Sequence, residues 1–197
     1  MDMATLSPGF ADPVLDSQAV FRATLDALSR PAVPVACPRS PEAPAPLYPS
    51  TGAVMLALAD LDTPVWLDPT LDQPAVRAWL GFHCGCPIVA DRALAAFALV
   101  GDPGAVPDLE GFALGTADGP DGSATVVIQV TGFDADGGPV FTGPGIRETA
   151  RLDPEGLPAG FWEDWALNGV LFPQGVDVLF TAPDRLVGLP RTTKGVL

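Results

Sequence analysis

The 197-residue chain carries 24 acidic against 10 basic side chains, a net charge of −14, which excludes broad binding to nucleic acid or anionic membrane because both require a basic face. Its length is that of one domain, residues 1–197, which buries about 70% of the surface its unfolded form would expose. Three cysteines, an odd number, with no signal peptide before Phe10, predict a reducing, cytoplasmic setting without a disulfide framework, and the apolar runs at 53–59 and 93–100 are too short to span a bilayer. A hydrophobic fraction of 48% is high for such a chain, and part of the excess is expected to cover a partner interface.

Residues 1–11 read as a flexible leader. A helix runs from Asp16 or Ser17, either a good N-cap, to Arg30, with Phe21, Leu25 and Leu28 on one face that is expected to pack on the core; Pro31 stops it. Prolines at 34, 38, 41, 44, 46 and 49 make residues 32–49 an extended connector, with room for a short strand at 33–36. Ser50 or Thr51 caps a second helix over 52–61, apolar almost all round and therefore buried between layers. Val65-Trp66-Leu67 is a short strand. Asp72 and Pro74 open a third helix in which Val76, Trp79, Leu80 and His83 share a face, and Gly85 and Pro87 end it. Asp91 caps a helical turn at 93–96, and residues 97–100 fit a strand or the end of that turn equally well.

Residues 101–123, rich in Gly, Pro and Asp, are mostly loop, with a short strand or turn at 111–114. The β-branched run 125–131 is a strand, and Asp136-Gly137 signals a turn that returns the chain through Pro139-Val140-Phe141 as its hairpin partner. A helix over 157–168 carries Phe161, Trp162 and Trp165 and is closed by Asn168-Gly169 in a left-handed cap. The run Val176-Asp177-Val178-Leu179-Phe180 is apolar on both faces, so it belongs inside a covered sheet, and Asp177 there requires backbone N–H groups or an arginine. Pro183-Asp184 turns the chain back through 186–189, Pro190 ends that strand, and 191–194 fall at a sheet edge or end. Strands alternating with helices give an α/β layered domain with a mixed sheet.

His83 is the chain's one histidine, and Cys84 and Cys86 stand beside it, with Cys37 available as a fourth ligand; a stand-alone thiol or zinc enzyme would have to use this group. The spacing is cramped for zinc, and a packed histidine at a helix C-terminus explains His83 as well. Gly143-Pro144-Gly145 with Arg147 either offers backbone N–H groups and a guanidinium to an anion or is only a turn. Arg191, Thr192 and Thr193, with Lys194, form the other local cationic group, a solvated tail or a subunit contact. The pairs Asp60 with Asp62 and Asp134 with Asp136 lie in turns, where Asp is common for backbone reasons. No catalytic constellation and no metal site emerges.

The segments FPQGVD (172–177) and LPRTT (189–193) together resemble the C-terminal signature of the PhnH subunit of bacterial carbon-phosphorus lyase. Residues 12–31, the His83-Cys84-Gly85 step, GPGI at 143–146 and Asn168 fit the same family in order, although members more often carry threonine at the position of Cys84. The resemblance implies a three-layer α/β/α sandwich like the large domain of pyridoxal-phosphate-dependent transferases. It implies no cofactor, since Lys194 is the only lysine and stands in the tail rather than mid-domain. It implies partnership with the G, I and J subunits of the lyase core, a homodimer when isolated, and a supporting role. In that family the G, H, I and L subunits together replace the adenine of ATP with an alkylphosphonate, giving ribose 1-alkylphosphonate 5-triphosphate.

Overall fold

The computed structural model of the protein describes residues 6–196. Helix α1 spans Pro13–Ser29 and starts earlier than the pattern suggested, because Asp12 is the N-cap: its carboxylate accepts from the amides of Val14 (3.1 Å) and Leu15 (3.0 Å), and Pro13 needs no partner at the first turn. The face that α1 buries is also different. Val20, Ala23, Thr24 and Ala27 are buried, whereas Phe21 and Leu25 are 44% and 50% exposed. The cause is a close approach. A Cβ at Gly188 would lie 2.6 Å from the Ala27 carbonyl oxygen, so the helix backbone rests directly on the sheet and only small side chains fit between.

Strand β1 (Val35–Ala36) opens the connector, and helix α2 (Pro49–Leu58) follows it. Ser50 and Thr51 are not caps but buried residues of the first turn: the Ser50 hydroxyl donates to the Ala182 carbonyl (2.5 Å) and Thr51 bonds the Thr181 hydroxyl (2.8 Å). Strand β2 (Val65–Leu67), helix α3 (Pro74–His83) and strand β3 (Ile88–Val89) lead through a 3₁₀ turn at Arg92–Leu94 to β4 (Phe97–Val100), which settles residues 97–100 as strand. Three further 3₁₀ turns occupy the Gly/Pro-rich stretch before β5 (Thr125–Gln129).

Val140 does not return as a hairpin partner of β5. Strand β6 (Phe133–Asp134) pairs instead with β9 (Asp153–Pro154), and β7 (Val140–Thr142) pairs with β8 (Ala150–Arg151) and with β12 (Lys194–Val196). Both neighbours of β5 are already taken, by β4 and by the strand Asp177–Ala182, so the chain leaves the main sheet. Helix α4 begins at Phe161, not at 157, and runs to Val170. Asn168-Gly169 lies within it; the left-handed residue is Gly175, φ +110°, beside the Asn168 side chain. Strands β10 (Asp177–Ala182) and β11 (Arg185–Leu189) form the expected hairpin.

The main sheet has seven strands in the order β1-β11-β10-β5-β4-β2-β3, parallel from β10 to β3 and antiparallel across β11. β10 and β5 are central, as their two apolar faces require. Leu179, Val127 and Leu99 point to the layer of α1, α2 and α3; Val178, Phe180, Val126 and Ile128 point to α4 and the three-stranded sheet. The second outer layer is therefore helix plus small sheet rather than helices alone. Within the leader, Leu6 and Phe10 pack against the first of these clusters; residues 1–5 lie outside the described part.

Candidate interaction cleft

The strand that the sequence marks most clearly, β10, begins at Asp177, and its carboxylate is held from one side by Arg191. The Arg191 amide and Nε donate to Oδ1 (2.8 and 3.1 Å), and Nη2 donates to Oδ2 (2.6 Å). The same guanidinium donates to the Pro120 carbonyl (3.1 Å) and to the Ser123 hydroxyl, so it ties the first residue of β10 to the loop before β5. With only 13% of its side chain exposed, Arg191 is a packed residue and not a solvated tail.

Pro190 and Arg191 aim the chain so that Thr192, Thr193 and β12 run alongside α4. Trp165 donates from Nε1 to the Thr193 carbonyl (3.2 Å), and the Thr193 hydroxyl is buried with no partner among the described residues. Between α4 and β12 lies a cleft of about 550 Å³, walled by Trp165, Ala166 and Gly169 on the helix and by Thr193 with Lys194 and Gly195 of the strand, and lined also by Pro144 and Phe172. The rim on the helix side is apolar and open: Val170 and Phe172 are 80% and 60% exposed.

The GPG loop and the LPRTT segment, far apart in sequence, meet here. A Cβ at Gly143 would lie 2.9 Å from the Thr192 carbonyl oxygen, and one at Gly145 2.2 Å from the Ser29 carbonyl oxygen, so both glycines serve backbone approach as well as their positive φ. Gly143 and Gly145 thus turn the chain between α1 and the tail. Arg147 follows on the surface, exposed and without an ion pair among the described residues, and it does not line the cleft.

His83, Cys84 and Cys86 sit elsewhere, at the end of α3. His83 donates from Nε2 to the Ser7 carbonyl (3.0 Å), which also accepts from Trp79 Nε1 (3.1 Å), and its ring packs against Trp79 and Phe82. Cys84 shares a thiol hydrogen bond with Cys86, which pushes Cys84 up and draws Cys86 down, and burial adds to the rise at Cys84. Burial also pushes the Cys37 thiol up, against a nucleophilic role. No group of three His, Cys, Asp or Glu side chains capable of holding a metal occurs among the described residues. The acidic pairs are turn devices: Asp60 accepts from the Asp62 amide and Asp134 from the Asp136 amide.

Asn168, which the sequence suggested as a helix cap, has another role, and the buried Asp68 escaped the sequence reading. Asn168 accepts from the Val176 amide (2.8 Å) and donates to the Val176 carbonyl (2.9 Å), fastening α4 to the entry of β10. Asp68 follows β2 where the strand order reverses, since β3 lies on one side of β2 and β4 on the other, the place where open α/β sheets take their ligands. Its carboxylate accepts from the amides of Leu71 (2.8 Å), Gly101 (3.0 Å) and Asp102 (3.2 Å) and from the Thr70 hydroxyl, so the crevice is closed by the chain itself. The position of an Asp directly after an apolar strand was the signal available for it.

Comparison with known proteins agrees with the sequence motifs. The family model described as bacterial phosphonate metabolism protein (PhnH) matches residues 8–195. The alpha-D-ribose 1-methylphosphonate 5-triphosphate synthase subunit PhnH of Rhizobium meliloti (strain 1021) is 40% identical over 188 residues, 95% of this chain and 94% of that protein. A putative C-P lyase subunit protein HtxG of Stutzerimonas stutzeri is 35% identical over 80 residues, 41% of each chain. The match runs from the leader through α1, the GPG turn and the Arg191 hub to β12, and on that span the chain belongs to the PhnH family of bacterial phosphonate metabolism proteins.

Proposed function

We propose that this chain is a non-catalytic subunit of a carbon-phosphorus lyase core, held there with the G, I and J subunits, and that it supports the step in which an alkylphosphonate replaces the adenine of ATP. The observation that carries the reading is the 40% identity, over 95% of the chain, to a protein named as a subunit of the ribose 1-methylphosphonate 5-triphosphate synthase. The side-chain inventory supports a supporting role. The histidine and thiols are packed, the polar residues at the sheet's switch point are spent on backbone amides, and the cleft between α4 and β12 has an apolar rim. A net charge of −14 also opposes a polyanionic substrate except near Arg147 or Lys194.

Three finer points belong to this reading. The kinship with the large domain of pyridoxal-phosphate-dependent transferases rests on the family resemblance alone; the seven-stranded mixed sheet gives the α/β class, which many unrelated folds share. The chain alone forms a homodimer, for which the exposed Phe21 and Leu25 face of α1 supplies apolar surface. Its location is cytoplasmic, in keeping with the absence, among the described residues, of any helix long and apolar enough to cross a membrane. Co-expression with the G, I and J subunits followed by size exclusion tests the central claim. Co-elution in one peak is the expected result; elution of the chain apart from the G and I subunits overturns it.

A further inference from the structure

We infer that the cleft between α4 and β12 is a strand-addition site: an extended acidic segment of a partner subunit pairs with the free edge of β12 and places an apolar side chain between Trp165 and Gly169. The inference rests on the proposed membership of a lyase core and names the surface by which that assembly is held.

Four observations carry it. The small sheet has the order β12-β7-β8, so β12 is an edge strand, and one row of its backbone N–H and C=O groups has no strand beside it among the described residues. Native edges are commonly shortened, charged or covered. This one is short and carries Lys194, yet it adjoins a cleft of about 550 Å³ instead of being closed over by α4. A groove between a helix and an edge strand is the geometry in which main-chain pairing supplies affinity and an adjoining pocket supplies specificity.

The helix side is cut to receive a side chain. Ala166 and Gly169 face the groove with little bulk, and a Cβ built at Gly169 would have the Arg191 carbonyl oxygen, at 4.0 Å, as its nearest neighbour. Val170 and Phe172 extend the apolar surface outward from the same wall. The floor is rigid, because Trp165 is anchored to the Thr193 carbonyl and Arg191 is locked on Asp177. A preformed groove of this kind lowers the ordering cost that weakens extended-segment binding.

Charge selects the occupant. In a chain of net charge −14, Lys194 on β12 lines the cleft and makes no ion pair among the described residues, while Arg191 beside it is paired with Asp177; Arg151 stands on β8, beyond β7, and Arg147, next to Glu148, lies outside the cleft. An acidic segment is drawn to this region and repelled by most of the remaining surface.

The test uses the full chain co-expressed with the G, I and J subunits. Hydrogen exchange in the purified complex is compared with that of the chain alone, and two variants, Ala166→Trp to fill the groove and Lys194→Glu to reverse its charge, are taken through the same co-elution. Slowed exchange confined to residues 164–172 and 192–196, with affinity about tenfold weaker or worse for Ala166→Trp, is expected. Lys194→Glu should weaken binding by a smaller factor and flatten its salt dependence. A wild-type chain that fails to co-elute overturns the subunit reading and the inference with it. Co-elution with unchanged exchange at β12, or with full affinity in a folded Ala166→Trp, overturns the site alone. Protection of β12 that grows with the concentration of the isolated chain identifies a second copy as the occupant and overturns the partner segment.

Discussion

Arg191 and Asp177 form a two-point ion pair at the entry to the central strand β10, with the Arg191 amide as a third donor to the same carboxylate. One residue pair thereby joins β10, the loop before β5 and the segment that leads to β12. Arg191→Ala leaves the Asp177 carboxylate largely desolvated and should lower unfolding free energy by about 3 kcal/mol, read from urea denaturation. Arg191→Lys should recover little, since a single ammonium cannot span the carboxylate, Ser123 and Pro120 together. Stability within about 0.5 kcal/mol of wild type in both variants would refute the role.

Asn168 makes a paired contact with the backbone of Val176. Asn168→Ala strands a buried donor and a buried acceptor, and a loss of about 2–4 kcal/mol is expected. Asn168→Asp keeps the acceptor but sets a carboxylate against the Val176 carbonyl, so it should be no more stable than the alanine variant at neutral pH.

Thr193 gives the opposite case. Its hydroxyl is buried without a partner among the described residues, so Thr193→Val removes a desolvated polar group at constant shape. The melting temperature should be unchanged or higher, by up to about 1 kcal/mol of stability. A marked drop would reveal a partner for the hydroxyl.

The pH dependence at acid is expected to involve Asp16. The Asp12 amide, and after it the Arg39 guanidinium at 2.6 Å, hold its carboxyl below the ordinary 3.8. A depressed folded pKa contributes stability above 3.8 that is lost as pH falls through the folded value. Thermal melts of wild type should therefore fall below pH 3.8 more steeply than those of Asp16→Asn. Parallel acid limbs in the two proteins would exclude a contribution from Asp16.

Phe21 and Leu25 lie on the open face of α1, so Phe21→Lys with Leu25→Lys should change monomer stability by less than about 1 kcal/mol. The same double variant should shift the isolated chain toward monomer in sedimentation velocity. A large loss of cooperativity on unfolding would show that the face is packed after all.

The central strands were legible because their own side chains declare the environment. Val178 and Leu179 point to opposite faces and both are apolar, which only a doubly covered strand accepts, and Asp177 then demanded a partner of the kind Arg191 provides. The buried face of α1 was not legible. Helical periodicity weighs large apolar residues, while the selection of Ala23 and Ala27 is made by Gly188, more than 150 residues away. Val140 was assigned to the wrong sheet for a related reason: a turn signal fixes that the chain reverses, not which edge is vacant. The cleft was half visible, since Arg191 to Thr193 stood out, but its other wall is ordinary helix sequence whose small residues acquire meaning only opposite β12.

Asp68 gives the free subunit an independence that its position in the fold would otherwise deny it. In sheets of this kind an incoming molecule commonly bridges the ends of the two strands that flank the reversal; here one side chain spans β2 and β4 permanently. The ends of β2 and β4 are held together by the chain's own carboxylate, so this part of the sheet needs no bound molecule to join them.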